Sequence, residues 1–410
     1  MNRANLRIDI ARLLARLDRL AGIGAIVGGG NARLALTDQD KDGRDLVIGW
    51  MKDLGLAVTV DAIGNVFGRR KGRKDLPPLM TGSHIDTVRT GGRYDGNYGV
   101  LAGLEVIEVM NRAGIETERP VSVAFFTNEE GARFHPDMMG SLAYVGGIPL
   151  DEALAATDRD GKSVGEELRR IGYAGPEPVA KPDLHRFVEL HIEQGPVLDR
   201  EGIRIGAVDT LQGISWTEFT ILGTSNHAGT TPMRLRHDAG YVAAALTTFV
   251  RRLANEIGGD QVGTVGSVKL FPDLINVIPN KAAVTVDVRN TDEAKLKDAE
   301  RRVTAFAEET AKAEGCTVEA KRLARFEPVI FDSGMATLIE RTAKGLGFSV
   351  KRMTSGAGHD AQMMQRVAPT AMIFVPSVAG ISHNVREFTK PEDLEAGANV
   401  LLQVMLELAD

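Results

Sequence analysis

VSVAFFTNEEG, residues 121–131, decides the fold. Val121–Thr127 is a short run of β-branched and aromatic residues, the composition of a buried strand, and it breaks directly into the polar NEEG. Three other runs have the same form. Leu79–Thr81 leads into GSHIDTV, Phe187–Ile192 into EQGP, and Ala371–Val375 into PSVAGISHN. Between the first two runs, Gly99–Ala113 carries apolar residues at helical spacing. Strands that alternate with helices predict an α/β layer with a parallel-rich sheet. Ligands bind at the carboxyl ends of the strands in such sheets, and all four polar motifs stand at those ends.

The middle of the chain reads differently. Trp216–Leu222 and Ala282–Val288 are strand-like, and each is followed by a long helical pattern, Asp238–Ile257 and Asp292–Glu314. Strand, helix, strand, strand, helix, strand predicts a small α+β domain. We place it at 213–327, inserted into a catalytic domain made of 1–212 and 328–410. The Gly28–Gly30 run reads as a flexible loop.

Composition narrows the function. A length of 410 residues suggests two domains, with ordinary globular proportions of 43% hydrophobic and 25% charged residues. The net charge of −6 argues against a nucleic-acid or anionic-membrane partner. The short basic cluster Arg69–Lys74 reads as a solvated loop. Cys316 is the only cysteine, which excludes an intrachain disulfide and fits a reducing, cytoplasmic setting. The first twenty residues, MNRANLRIDIARLLARLDRL, intersperse charges with apolar residues and predict an amphipathic helix rather than a signal peptide.

The chemistry concentrates in a few side chains. His84 and Asp86 stand two apart in GSHIDTV, so on an extended strand they point the same way. A carboxylate there can hold an imidazole's tautomer and strengthen it as a metal ligand. Alone, the pair decides nothing. Asp95 lies in the glycine-rich turn GGRYDGNYGV, where an acidic residue is ordinarily a turn former. Glu129 and Glu130 are adjacent after a buried strand. They repel each other unless a cation joins them or both face solvent. His191 in HIEQGP and His383 in GISHN follow strand-like runs. A mixed oxygen and nitrogen donor set suits zinc, manganese, cobalt or nickel.

Together these motifs resemble the amidase, hydantoinase and carbamoylase branch of the two-zinc aminoacylase and carboxypeptidase-like metallopeptidases. The resemblance runs from GRDL at 43–46 to ISHN at 381–384. It implies a catalytic domain with a parallel-rich sheet and an inserted lid domain that forms a dimer interface. It implies two divalent ions per subunit: His84, Asp95 and His191 on one, Asp95, Glu130 and His383 on the other, with Asp95 bridging. Glu129 matches the general base, and Asp86 would orient His84.

HIEQGP brings Gln194 beside the site. His227, in NHAGTTPM (226–233), resembles a residue that crosses to the partner subunit's active site and donates to the developing oxyanion. Without the resemblance, a solvent-facing loop histidine is the better reading. Asn276 in LINVIPN, Arg289 in VDVRN and the backbone of Gly358 in SGAGHDA resemble binders of a substrate carboxylate. Arg suits this because its planar fork matches a carboxylate. The roles of His359 and Asp360 stay open. His135, His185 and His237 read as structural, and Trp50, Trp216, Met363 and Met364 as packing.

The expected activity is hydrolysis of N-carbamoyl-L-amino acids, small carboxylate-bearing substrates, by a homodimer with active sites shared across subunits. Allantoate or N-carbamoyl-β-alanine hydrolysis uses the same chemistry. An aminoacylase, a dipeptidase and a metal-independent binding protein are the remaining readings. The last has no need of a base at Glu129.

Overall fold

The computed structural model describes residues 3–179 and 183–410. It contains two compact units, one formed by Met1–Asp209 with Ile330–Asp410 and one formed by Thr210–Val329. In chain order the strands are β1 (Ala57–Val60), β2 (Val66–Arg70), β3 (Leu79–His84), β4 (Val121–Phe126), β5 (Arg186–Ile192), β6 (Ile205–Leu211), β7 (Gly213–Leu222), β8 (Val262–Phe271), β9 (Lys281–Asn290), β10 (Thr317–Phe326), β11 (Val329–Ile330), β12 (Val350–Ser355) and β13 (Thr370–Val375).

The first unit is built on a nine-stranded sheet. Its path is β1-β2-β4-β3-β5-β13-β6-β11, with β12 paired to β6. The centre, β4-β3-β5-β13, is parallel, while β2 joins β4, and β6 joins β13, antiparallel. Every residue of β3, β4 and β13 is buried, as expected of parallel strands covered on both faces. These are the apolar runs that predicted an α/β layer, and the fold class is as expected.

Register places the chemistry. His84 is the last residue of β3 and lies opposite Phe126, the last of β4. His191 lies opposite Phe374 near the end of β13. The motif-bearing loops therefore leave one edge of the sheet together.

The helix Asn97–Arg112 packs against this centre and is buried along most of its length. Gly99 permits that approach, because a side chain there would collide with the Leu190 carbonyl on β5. Of the stretch expected to be an amphipathic helix, residues 1 and 2 lie outside the described residues, Arg3–Asn5 makes a short 3-10 turn, and the second half forms the helix Ile10–Ala21, capped by Asp9. Its Leu13, Leu17 and Leu20 are buried, each worth roughly 1.5–3 kcal/mol against exposure. Arg12 and Arg16 pair with the buried Glu105 of the neighbouring helix, which removes the cost of an isolated charge. Gly28 and Gly29 adopt positive φ in a turn.

The second unit is a four-stranded antiparallel sheet in the order β10-β7-β9-β8. Helices Ala239–Ile257 and Glu293–Ala313 start at Asp238 and Asp292, whose carboxylates accept the first free helical N–H groups. β9 alternates buried and half-buried residues, so one face meets the helices. The core there joins Phe219 and Ile221 to Val242, Leu246, Val284 and Val303. β8 is an edge strand with Val262, Val268, Leu270 and Phe271 exposed. Among the described residues no helix is long and apolar enough to cross a membrane.

Candidate metal centre

His84 and His191 each have one ring nitrogen tied to the main chain. His84 Nδ1 is 2.9 Å from the Asp86 carbonyl, and His191 Nδ1 is 2.8 Å from the Ile192 carbonyl. A carbonyl only accepts, so both imidazoles donate from Nδ1 and keep the Nε2 lone pair. Both Nε2 atoms lie near one carboxylate oxygen. Asp95 Oδ1 is 3.6 Å from His84 Nε2 and 3.2 Å from His191 Nε2. The other oxygen, Oδ2, is 3.3 Å from His383 Nε2, which is 3.2 Å from Glu130 Oε2.

Asp95 thus belongs to two triads of potential ligand atoms, His84–Asp95–His191 and Asp95–Glu130–His383, each within 4.8 Å. The turn that carries Asp95 works because Gly96 takes a positive φ, where any side chain would strike the His84 ring. Gly96 N–H also donates to His191 Nε2 at 3.1 Å, which leans the turn onto β5.

The electrostatics report a surplus of negative charge. Burial of the His84 ring opposes protonation, yet Glu129, Asp95 and Asp86 outweigh it and raise its pKa well above the usual range. Hydrogen bonds to Asp95 and Glu130 push His383 up to about 11. Burial works to raise the Asp95 carboxyl, but its three histidine partners win and hold it well below the usual range. Such a site must be met by protons or by a cation. Glu130 Oε1 is buried without a hydrogen-bond partner, a second sign that a positive group belongs there. The donor set of imidazole nitrogens and carboxylate oxygens fits a divalent metal.

Glu129 belongs to neither triad. Its Oε2 lies 3.4 Å from His84 Nε2, and burial drives its carboxyl well above the ordinary range. A carboxylate that holds its proton more tightly than usual is suited to taking one from water near neutral pH. Gln194 donates to Asp95 Oδ2 at 2.9 Å. Asn128, Gln194 and His383 are all left-handed non-glycine residues, with φ of 54°, 57° and 52°. Such positions cost free energy and persist where surrounding contacts over-determine them.

Asp86 differs from the expectation that its carboxylate orients His84. The main-chain carbonyl does that. The carboxylate, 4.0 Å from His84 Nδ1, instead accepts the N–H groups of Glu129 and Glu130 at 3.2 and 3.4 Å.

His359 and Asp360 are buried beside the site, with the His359 ring centroid 4.5 Å from that of His191. Glu189, His191 and His359 form a third close group. Glu189 is already engaged by Ser83 Oγ at 2.7 Å and the Ala361 N–H at 2.8 Å, so it serves packing of the strand ends. Burial lowers the His359 pKa well below the usual range and keeps it neutral. Gly358 precedes these residues and rests against Met138.

Three further candidates lie in the second unit. His227 Nδ1 accepts the N–H groups of Gly229 and Thr230 at 3.0 and 3.2 Å, which leaves Nε2 as the donor. Asn276 is adjacent, its carbonyl accepting the Ala228 N–H at 2.9 Å. Arg289 is paired with Asp287, two residues before it on β9, at 2.8 Å.

Sequence reasoning missed Glu387. It is 5% exposed, and its Oε1 accepts the N–H groups of Tyr94 and Asp95 at 3.0 and 3.2 Å. Its one available signal was an acidic residue four positions beyond His383, in SHNVRE.

Known proteins show the same arrangement of sequence and fold. The family described as Peptidase family M20/M25/M40 matches residues 80–407. The chain is 43% identical over 409 residues to the N-carbamoyl-L-amino-acid amidohydrolase of Rhizobium meliloti, covering 99% of this chain and 98% of that protein. It is 37% identical over 412 residues to the ureidoglycolate hydrolase of Oryza sativa subsp. japonica, covering 98% and 85%. The crystal structure of an amidase of the hydantoinase/carbamoylase family from Burkholderia multivorans superposes with a TM-score of 0.93 at 46% identity, covering 98% of each chain.

Proposed function

We propose that this chain, which belongs to the M20/M25/M40 peptidase family, is a metal-dependent amidohydrolase that cleaves the ureido group of N-carbamoyl-L-amino acids. The products are the free amino acid, carbon dioxide and ammonia. The observation that carries this reading is the pair of triads sharing Asp95, with the unligated, buried Glu129 beside them. Similarity to a carbamoyl-amino-acid amidohydrolase across the whole chain supports the substrate class.

In this reading two divalent ions, zinc, manganese, cobalt or nickel, are held by His84, Asp95 and His191 and by Asp95, Glu130 and His383. When bound, they lower the pKa of water and polarise the ureido carbonyl. Glu129 takes the proton from the attacking water and returns it to the departing nitrogen. Asp86 sets the peptide that carries Glu129. Gln194 steadies Asp95 and faces the substrate. His227, with its proton on Nε2, donates to the oxygen on which charge develops. Arg289, Asn276 and the Gly358 N–H receive the substrate carboxylate. A homodimer supplies His227 from the partner chain, and the exposed apolar edge at β8 suits such pairing. A cytoplasmic location is in keeping with the single cysteine.

A second reading follows from the ureidoglycolate hydrolase relative: a ureido group on a hydroxylated rather than alkylated carbon. A turnover panel separates the readings. It contains N-carbamoyl-L-methionine, N-carbamoyl-β-alanine, allantoate, ureidoglycolate, an N-acetyl amino acid and a dipeptide, each with manganese or zinc. Fastest turnover of N-carbamoyl-L-methionine is expected. Turnover of the dipeptide alone would overturn the ureido assignment.

A further inference from the structure

Asp95 and His383 come from distant parts of the chain, and no strand pairing joins the segments that hold them. Asp95 sits in the turn before the helix Asn97–Arg112, and His383 in the long connection between β13 and the helix Pro391–Leu408. We propose that Glu387 is a positioning residue for the metal centre, clamping the Asp95 turn to the His383 loop. This rests on the metal-centre reading above.

The clamp is made by both carboxylate oxygens. Oε1 accepts the N–H of Tyr94 at 3.0 Å and of Asp95 at 3.2 Å. Oε2 accepts the hydroxyl of Ser382 at 2.9 Å, immediately before His383. Ser382 Oγ also lies 3.4 Å from Asp95 Oδ2, so the hydroxyl reaches both carboxylates. The Glu387 N–H in turn donates to the Asn384 carbonyl at 2.9 Å, closing the His383 loop on itself. Two segments are thereby held by one side chain.

Four observations argue that this is more than packing. Glu387 is buried, and among the described residues no lysine, arginine or histidine forms an ion pair with it. An unpaired buried carboxylate is costly and persists only where its hydrogen bonds are specific. Two of the groups that satisfy it are N–H donors at the entrance to a sixteen-residue helix, where anionic charge is favoured. His383 is held at a φ of 52°, a conformation that needs outside support, and Glu387 supplies it through Ser382. Room is also reserved for it: a side chain at Gly92 would overlap the Glu387 carboxylate. Because Asp95 is common to both triads, a shift of its turn alters both, while a shift of Ser382 moves its neighbour His383 and loosens the contact to Asp95 Oδ2.

The test compares wild type with Glu387→Ala, Glu387→Gln and Gly92→Ala in the full chain. Manganese or zinc affinity is read by competition with a chromophoric chelator, and ligand geometry by the absorption spectrum of the cobalt-substituted protein. Groups that orient metal ligands typically contribute about 10- to 100-fold in affinity. Glu387→Ala should weaken binding by that order and change the cobalt spectrum. Glu387→Gln should restore most of it, because its amide oxygen accepts both N–H groups and its amide nitrogen donates to Ser382. Gly92→Ala should weaken affinity with Glu387 still present, which covers the case where Glu387→Ala does not fold. Folded variants that bind metal as tightly as wild type, with an unchanged cobalt spectrum, overturn the proposal even if their melting temperatures fall. If wild type binds no divalent ion, the metal-centre reading fails first and the clamp with it.

Discussion

The carboxylate of Asp86 accepts the main-chain N–H of Glu129 at 3.2 Å, and its second oxygen accepts that of Glu130 at 3.4 Å. One buried side chain at the end of β3 therefore sets the peptide that carries the proposed base and a proposed metal ligand together. Burial lifts the Asp86 carboxyl to about 6, above the usual carboxylate range. Asp86→Ala should lower turnover by about 10- to 100-fold with little change in KM, the scale of lost orienting contacts. Steady-state kinetics check this, and an unaltered kcat would contradict it.

Glu129 and Glu130 should separate by function. A positioned base contributes roughly 100- to 10,000-fold to rate. Glu129→Gln is expected to lose turnover on that scale and keep its metals. Glu130→Gln should instead shed metal, because its Oε2 faces His383 at 3.2 Å. Elemental analysis beside kinetics reads both outcomes, and the assignment fails if the two variants behave alike.

Metal removal should abolish activity and lower stability together. Dialysis against a chelator leaves the negative surplus around Asp95 uncompensated. Returning manganese or zinc at about 100 times its dissociation constant should add about 2.7 kcal/mol of stability per site. Thermal unfolding with and without metal measures the shift. Full activity in chelator counts against the metal centre.

Arg289 is held by Asp287 at 2.8 Å, so its fork is already oriented on β9. Arg289→Ala should weaken binding of carboxylate-bearing substrates by about 2–5 kcal/mol, the scale of losing one partner of a buried charge pair. The methyl ester of the same substrate should be affected far less. Equal losses for acid and ester point to a substrate without a free carboxylate.

A shared site predicts complementation. His227→Ala and Glu129→Gln chains, each nearly inactive alone, should regain activity when mixed and allowed to exchange. Random pairing gives one intact site per mixed dimer, so about a quarter of wild-type activity is expected. No recovery after demonstrated subunit exchange rules out a shared site.

The sheet was legible because continuous apolar runs such as Val121–Phe126 and Thr370–Val375 can be satisfied only between covering layers. The family was legible too, because short polar motifs recur at the ends of those runs in a fixed order. Residue types alone left His84, Asp95, Glu129 and Glu130 open, and the order of the motifs, through the family resemblance, singled them out. They could not say which atoms face one another. The resemblance implied a bridging Asp95, and the tertiary structure assigned its atoms, one oxygen toward His84 and His191 and the other toward His383. Only it gave the His84 ring to the Asp86 carbonyl and the Asp86 carboxylate to the loop after β4. Glu387 stood in no motif that sequence reasoning could read, since its partners are main-chain N–H groups of a turn far away in the chain. The physical reason is common to the last two. Apolar burial follows a local period that a sequence displays, whereas a hydrogen bond to a backbone group depends on where a loop passes, and any residue type can supply that group.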